Sequence, residues 1–178
     1  LKAEVSLQLV DTLGYNALVP GEREIYRSIK LQQDLESLAK TPVVLANVCK
    51  PGTDESVCKR KYQICTQPAA GGARVAVVGV LGSDVTARGF ASEMGVEVLD
   101  PVESVKKLLP ELAAVDLVMV VSHSEPATAK KIADLASECM VMCSRPAKFA
   151  IGPPRPKAKV ISPMCSIDEY ANMRLTSR

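Results

Sequence analysis

Three charged residues follow a Pro-Gly turn near the start of the chain, in the stretch VPGERE. Glu22 and Glu24 carry carboxylates and Arg23 carries a guanidinium, directly after an apolar run that predicts a buried strand over residues 16–20. Ligands collect at the carboxyl ends of strands in open α/β sheets, so this corner is a candidate site. The residues alone leave two readings open: an acid–base corner, or a surface that has given up catalysis.

The single histidine of the chain stands at the end of another predicted strand. His123 follows the apolar run DLVMVV, a position where an imidazole can bind a metal ion or carry a proton. Ser122 and Ser124 flank it, but neighbours on an extended chain point to opposite faces, so adjacency alone makes no nucleophile–base pair. Asp84 follows VVGVLGS in a turn that ordinary loop chemistry explains as well as function does.

Six cysteines in a chain of this size are too few to indicate a disulfide scaffold. Cys49 and Cys58 flank the turn-rich loop KPGTDESV and are the best disulfide candidate. Cys139 and Cys143 lie in a predicted strand, where four residues span about 13 Å, beyond disulfide reach; they are expected in the core. The chain contains no Cys-x-x-Cys and no Cys-x-x-Cys-His, which excludes a zinc knuckle and a c-type haem attachment motif within it.

Composition favours one domain over residues 1–178 and excludes some partners. The 178 residues are 47% hydrophobic, enough for one sizeable core. Charges nearly balance at +2 and only six aromatic residues are present, which argues against a nucleic-acid interface. No apolar run approaches the roughly 20 residues of a membrane span. Because the chain begins with Leu1 inside a helical pattern, we expect a processed or incomplete polypeptide.

Helix-like and strand-like segments alternate along the chain, which predicts an α/β fold with parallel strands. The first helix should bury Val5, Leu9, Val10 and Leu13 and end at Gly14. The connection QPAAGG predicts a hairpin, and the strand that ends at His123 should be central and covered on both faces. Helices are predicted over 1–14, 28–40, 101–114 and from about 124, and strands over 16–20, 41–48, 61–66, 73–82, 95–100, 115–123, 139–144, 159–164 and 169–177.

An ordered series of motifs resembles the calcineurin-like metallophosphoesterase domain of the 5'-nucleotidase family. The series runs from LGYNALVPGERE through TPVVLANV, GGARVAVVGVLG, DPVESVKKLLPELA and LVMVVSHSE to CMVMCSRPAKF, and it covers nearly the whole chain. The resemblance implies an α/β/β/α layered sandwich, here partial, without the N-terminal segment that bears the first two ligand motifs.

In the family, two metal ions held by Asp, His and Asn side chains activate a water and neutralise a phosphate ester. The Gly-Asn-His-Glu motif falls on Gly21 to Glu24, which puts Glu22 at the position of the metal-binding Asn and Arg23 at that of the His. Arginine stays charged and cannot act as a general acid. The resemblance therefore implies that the hydrolytic role of this corner is lost.

The other ligand positions are also depleted. His123 matches the histidine ligand of the strand-end motif, whereas Ser144, Arg145 and Pro146 stand where a Gly-His-Ser/Asn-His motif is expected and offer no imidazole. His123 and Glu22 together would hold one metal ion weakly.

We therefore expect a degenerate, non-catalytic domain that serves as a structural or interaction module. The resemblance extends this expectation to an extracytoplasmic, for instance periplasmic, redox assembly with multihaem cytochromes, and to protein partners or missing segments of the same polypeptide. One alternative is a phosphoesterase or 5'-nucleotidase dependent on Mn, Zn or Mg and completed by ligands outside the chain. Another is an anion or nucleotide binding module that uses Arg23, His123 and Arg145 without turnover.

Overall fold

The computed structural model describes residues 2–27, 29–68, 71–82, 93–135, 139–143 and 159–161. Asp84, the stretch from Ser144 to Pro146 and the predicted strand over 169–177 lie outside these residues. The helices are α1 (Lys2–Leu13), α2 (Glu22–Arg27), α3 (Ile29–Leu38), α4 (Pro101–Leu108) and α5 (Pro126–Ala133). The strands are β1 (Val48–Cys49), β2 (Tyr62–Gln67), β3 (Ala73–Leu81), β4 (Glu97–Val98), β5 (Leu117–His123), β6 (Cys139–Cys143) and β7 (Lys159–Ile161).

Five strands form one sheet in the order β2-β3-β5-β6-β7. β2 and β3 are antiparallel, which confirms the predicted hairpin, and the other neighbours are parallel, which confirms the predicted crossovers. Gly71 and Gly72 close the hairpin with φ of 68° and 85°, a conformation that favours glycine. The α/β class is confirmed.

The two strands at the centre of the sheet, β3 and β5, consist mostly of apolar residues. β5 lies in the middle, as predicted, but its residues alternate between buried and half-buried, so only one of its faces is fully covered. β3, its neighbour, is buried at every position from Val75 to Leu81. Helices α4 and α5 cover the sheet through Val105, Leu108 and Ile132. Burial of these side chains against β3 and β5 makes the larger of the two apolar cores.

A second core lies beside the ends of these strands. It gathers Ile25 of α2, Leu45, Leu81 and Val96. The segments predicted as strands over 16–20 and 41–48 form no long ladder among the described residues. They pair through isolated bridges, Leu18 with Val43 and Val44 with Arg60, and through the Ala46 amide, which donates to the Gly79 carbonyl at 2.8 Å. At Val48 the second segment enters the two-stranded β1–β4 ribbon.

Helix boundaries follow the capping signals in the sequence. α1 ends at Gly14, whose φ is 71°, as predicted. α4 begins at its Asp100 cap, whose carboxylate accepts from the Glu103 amide at 2.9 Å, but it ends at Leu108 instead of residue 114. Pro110 explains the early end, because it has no amide to donate and disfavours a helix before it.

The apolar face of α1 is exposed, contrary to the prediction from the sequence. Val5, Leu9 and Leu13 were expected to be buried, and their side chains are instead 58%, 57% and 62% exposed.

The disulfide predicted between Cys49 and Cys58 is not formed in the structure, where both residues are free thiols. The loop between them places Ser56, not Cys58, opposite Cys49. Cys58 instead packs into the second core, where burial, aided by the negative charge of Glu36, raises the pKa of its thiol to about 12. Burial also raises the pKa of Cys49.

Candidate functional site

Glu22 and His123 meet where the second core joins the main sheet. His123 is the last residue of β5 and Glu22 is the first residue of α2. The imidazole Nε2 lies 3.0 Å from the Glu22 Oε2, and the two side chains are 27% and 25% exposed. A carboxylate at this distance from an imidazole nitrogen fixes the orientation of the ring through a hydrogen bond. The structure thus brings together two residues that the sequence singled out separately.

The rest of the charged corner shapes the start of α2. The Glu24 carboxylate turns back and accepts a hydrogen bond from the Gly21 amide at 2.9 Å. This is half of a capping box, in which an acidic side chain satisfies an amide at the helix start. Glu24 therefore supports the start of α2.

The strand end that carries His123 is fixed by its backbone. The Gly82 amide donates to the His123 carbonyl at 2.8 Å, which ties the end of β3 to the end of β5. Asn47 holds the same end of β3 from the other side: its Nδ2 donates to the Leu81 and Leu99 carbonyls at 2.7 and 2.8 Å, and its Oδ1 accepts from the Leu81 amide at 2.9 Å.

Asn47 is a residue to which the sequence analysis assigned no role. It is fully buried, and its side chain satisfies three backbone groups at once. Because unpaired polar groups are costly in a core, these bonds make Asn47 a positioning residue for the strand end. The signal in the sequence was an amide within the apolar run VVLANV.

The two serines beside His123 belong to the opposite face of β5. Ser122 and Ser124 are fully buried, and their hydroxyl oxygens are 2.6 Å apart. The alternation of the strand separates them from the imidazole, which agrees with the prediction that adjacency would not make a nucleophile–base pair.

Other predicted site residues are not placed by the structure. The side chain of Arg23 is outside what the structure describes, and so are Asp84 and Arg145. Cys139 and Cys143 lie on β6, in agreement with the strand predicted there.

No family model matches the sequence, and no curated protein matches it. Solved structures do match. The calcineurin-like phosphoesterase YfkN from Bacillus subtilis superimposes with a TM-score of 0.70 at 18% identity, over 88% of this chain and 56% of that one. This chain has the fold of the calcineurin-like phosphoesterases. A 5'-nucleotidase precursor from Thermus thermophilus matches the same phosphoesterase fold with a TM-score of 0.62 at 24% identity, over 91% of this chain and 34% of that one.

A third structure with the phosphoesterase fold is the sulfate thiohydrolase SoxB from Thermus thermophilus, with a TM-score of 0.70 at 13% identity. It matches over 89% of this chain and 29% of its own. The chain therefore spans about half of YfkN and about a third of the other two. The layered sandwich implied by the sequence resemblance is confirmed as the fold.

The two metal ions that the sequence resemblance implies can be compared with the side chains that the structure describes. Within that part of the chain, no group of three or more His, Cys, Asp or Glu residues converges on one point. Glu22 and His123 supply two donors, whereas a binuclear centre needs several around each ion. The described residues therefore do not fit a binuclear centre.

Proposed function

We propose that this domain retains the phosphoesterase fold as a structural or interaction module and does not itself hydrolyse phosphate esters. The observation that carries the proposal is the contact between Glu22 and His123. The imidazole nitrogen that the resemblance assigns to a metal ion here faces a carboxylate of the same chain, and that carboxylate stands at the position of a second ligand. The replacement of a proton-donating histidine by Arg23 supports the same conclusion.

The distance of this contact is also compatible with one rival function. Two atoms that bind the same ion at about 2.1 Å and at a right angle lie about 3.0 Å apart. The 3.0 Å between Glu22 and His123 thus fits a shared divalent cation as well as a direct hydrogen bond. A metal-dependent phosphoesterase completed by ligands from outside the described residues is the second candidate.

Metal content and turnover separate the two candidates. The full-length natural protein is loaded with Mn²⁺ or Zn²⁺, analysed for bound metal, and assayed with p-nitrophenyl phosphate. We expect no metal-dependent turnover. Hydrolysis that requires the metal and disappears in His123→Ala, but survives in the surface control Lys50→Ala, would overturn the proposal.

Anion binding without turnover, the third candidate function, is tested in the same samples. Calorimetry with inorganic phosphate and with a nucleoside monophosphate tests it, with Arg23→Ala and Arg145→Ala as the diagnostic variants. Affinity lost in these variants, with no hydrolysis, would replace the interaction module by a binding module.

The proposal also includes an extracytoplasmic location and a protein partner. No helix among the described residues is long and apolar enough to cross a membrane. The similarity to a protein described as a 5'-nucleotidase precursor supports an extracytoplasmic location, and the sequence resemblance supports an assembly with multihaem cytochromes. Fractionation of cells that express the natural protein, followed by haem staining of the complex purified with it, tests both.

A further inference from the structure

Strand β2 lies at one end of the five-stranded sheet, and the bonds of β3 show which residues of β2 face outwards. The Arg74 amide of β3 donates to the Asp116 carboxylate at 2.7 Å, and the Arg74 carbonyl accepts from the Asp116 amide at 2.9 Å. Asp116 directly precedes β5, so both backbone groups of Arg74 point away from β2. Thr66, which lies opposite Arg74, is therefore not hydrogen-bonded to it. Because backbone groups alternate along a strand, Tyr62, Ile64 and Thr66 direct their amides and carbonyls away from β3.

The outward edge of β2 is open in the part of the chain that the structure describes. The Ile64 carbonyl accepts from the Gln63 side-chain nitrogen Nε2 at 2.8 Å, in agreement with its outward direction. No backbone group of the described residues pairs with the outward amides of Ile64 and Thr66. The strand YQICTQ also contains no charged residue and no proline, which are the features that keep a sheet edge from pairing. Such an edge is a template for another strand.

A cation lies beside this edge. Arg60 Nη1 donates to Gln63 Oε1, and the same Gln63 side chain holds the Ile64 carbonyl. Lys59 and Lys61 adjoin Arg60 in the sequence, and among the described side chains no carboxylate forms an ion pair with any of the three. The guanidinium has further donors, in a planar fork that fits a carboxylate. Charge complementarity therefore favours an added strand that carries acidic residues.

The two faces of β2 differ in polarity. Tyr62 and Ile64 pack against the larger apolar core and are half-buried. Gln63 projects to the opposite face, where it contacts Arg60. Successive residues of an added strand would lie alternately on these two faces, beside Ile64 and beside Arg60. Apolar residues suit the first position and acidic residues the second.

We propose that the β2 edge binds an extended segment of a protein partner as an added strand, in which acidic residues alternate with apolar ones. Backbone hydrogen bonds to Ile64 and Thr66 supply the affinity, and the alternating side chains supply the selectivity. The inference rests on the proposed interaction role and deepens it, because it names the surface and the kind of segment that the surface accepts.

Hydrogen exchange and peptide binding test the proposal in the full-length natural protein. The probe is a capped heptapeptide of alternating valine and glutamate, and its matched control has lysine in place of glutamate. In the protein alone, the Ile64 and Thr66 amides should exchange rapidly. An excess of the glutamate peptide should slow both amides by roughly 10-fold or more, whereas the lysine peptide should leave them unchanged.

Two substitutions separate the backbone from the charge. Thr66→Pro removes an outward amide without removing a bond to β3 and should weaken binding of the glutamate peptide about 10-fold, measured by calorimetry. Thr66→Ala keeps that amide and is the matched control. Arg60→Ala should weaken binding about 5-fold and leave the exchange of Ile64 and Thr66 in the free protein unchanged. If Thr66→Pro does not fold, Arg60→Ala and the peptide pair still decide the outcome.

Three outcomes would overturn the proposal. The first is slow exchange of Ile64 and Thr66 in the protein alone, which would assign the edge to the chain itself or, where the protection rises with protein concentration, to a second copy. The second is the absence of protection by the glutamate peptide. The third is equal protection by both peptides, which would remove the role of Arg60. None of these measurements involves a metal ion or a phosphate ester, so their failure is distinct from metal-dependent turnover, which would overturn the proposed function.

Discussion

The imidazole of His123 and the carboxylate of Glu22 are in contact although they lie 101 positions apart in the sequence. The contact joins the end of β5 to the start of α2, and so it links the main sheet to the second core. It is partly shielded from water, with 27% and 25% of the two side chains exposed. Hydrogen bonds of this kind contribute more than surface ion pairs do, because less solvent screens them.

A double-mutant cycle measures that contribution. Urea unfolding of Glu22→Gln, His123→Ala and the double variant should give a coupling free energy of about 1 kcal/mol. The surface pair Lys50 and Glu55, whose side chains are 54% and 65% exposed, is the matched control, with an expected coupling below about 0.5 kcal/mol. Equal coupling in the two pairs would contradict a structural role for the Glu22–His123 contact.

Asp11 should make the domain sensitive to acid. Its carboxylate accepts from the Lys40 amide, the Thr41 hydroxyl and the Thr41 amide, and these bonds lower the pKa of Asp11. A lowered folded-state pKa contributes stability above the unfolded pKa of about 3.9, and that stability is lost as the pH falls through the lower folded value.

Replacing this carboxylate should remove its part of the acid sensitivity. We expect Asp11→Asn to lower the Tm near neutral pH by about 2–4 °C and to flatten the fall of Tm below pH 4. Asp34→Asn, at an exposed position of α3, is the control. Parallel pH profiles of Asp11→Asn and the unmodified protein, measured by thermal melts from pH 2 to 7, would show that Asp11 does not carry this effect.

Gly79 should not tolerate a side chain. A Cβ at this position would lie 2.7 Å from Val19 Cγ1 and closer still to the Val44 carbonyl oxygen. Gly79→Ala should therefore destabilise the domain by about 1–3 kcal/mol in urea unfolding. Val19→Ala in the same chain removes one of the two clashes, so the double variant should lose less than the sum of the single losses. Additive losses would contradict the packing of Val19 over Gly79.

The cysteines should differ in reactivity. With its pKa raised to about 12, Cys58 should react with an alkylating reagent at pH 8 roughly 10³-fold more slowly than an ordinary exposed thiol. Half-buried Cys65 should be labelled before Cys49 and Cys58, which become labelled once urea unfolds the chain. Peptide mapping by mass spectrometry checks the order, and a Cys49–Cys58 cross-linked peptide in the unreduced protein would restore the disulfide prediction.

Cys58 also sets an alkaline limit. Its contribution to stability is complete below the pKa of the unfolded thiol, about 8.5, because both states are then neutral. As the pH rises from there towards 12, only the unfolded state ionises, and stability falls.

Periodicity and capping signals were sufficient to predict most elements of the fold. The β2–β3 hairpin, the parallel strands and the Gly14 stop of α1 follow from local chemistry, namely glycine conformations and alternating apolar residues. Helix α4 was predicted too long because its apolar spacing continues beyond Pro110, where an amide is missing.

Long-range properties were harder to predict. The sequence identified Glu22 and His123 separately, but only the topology brings their side chains together. Val5, Leu9 and Leu13 of α1 were expected to be buried but are exposed. Periodicity shows which residues share a face of a helix, but it does not show what covers that face. The bonds of Asn47 depend on backbone groups 34 and 52 residues away, which no local pattern reveals.

The hairpin between β2 and β3 also bears on the order of folding. It is the one antiparallel pair of the five-stranded sheet, and its partners are close in sequence, with Gln67 opposite Ala73. Closing so short a loop costs little entropy, whereas β5 pairs with β3 only after a connection of more than thirty residues. During synthesis we expect the hairpin to form first and to present the edge of β3 as the template on which β5, β6 and β7 are then added in turn.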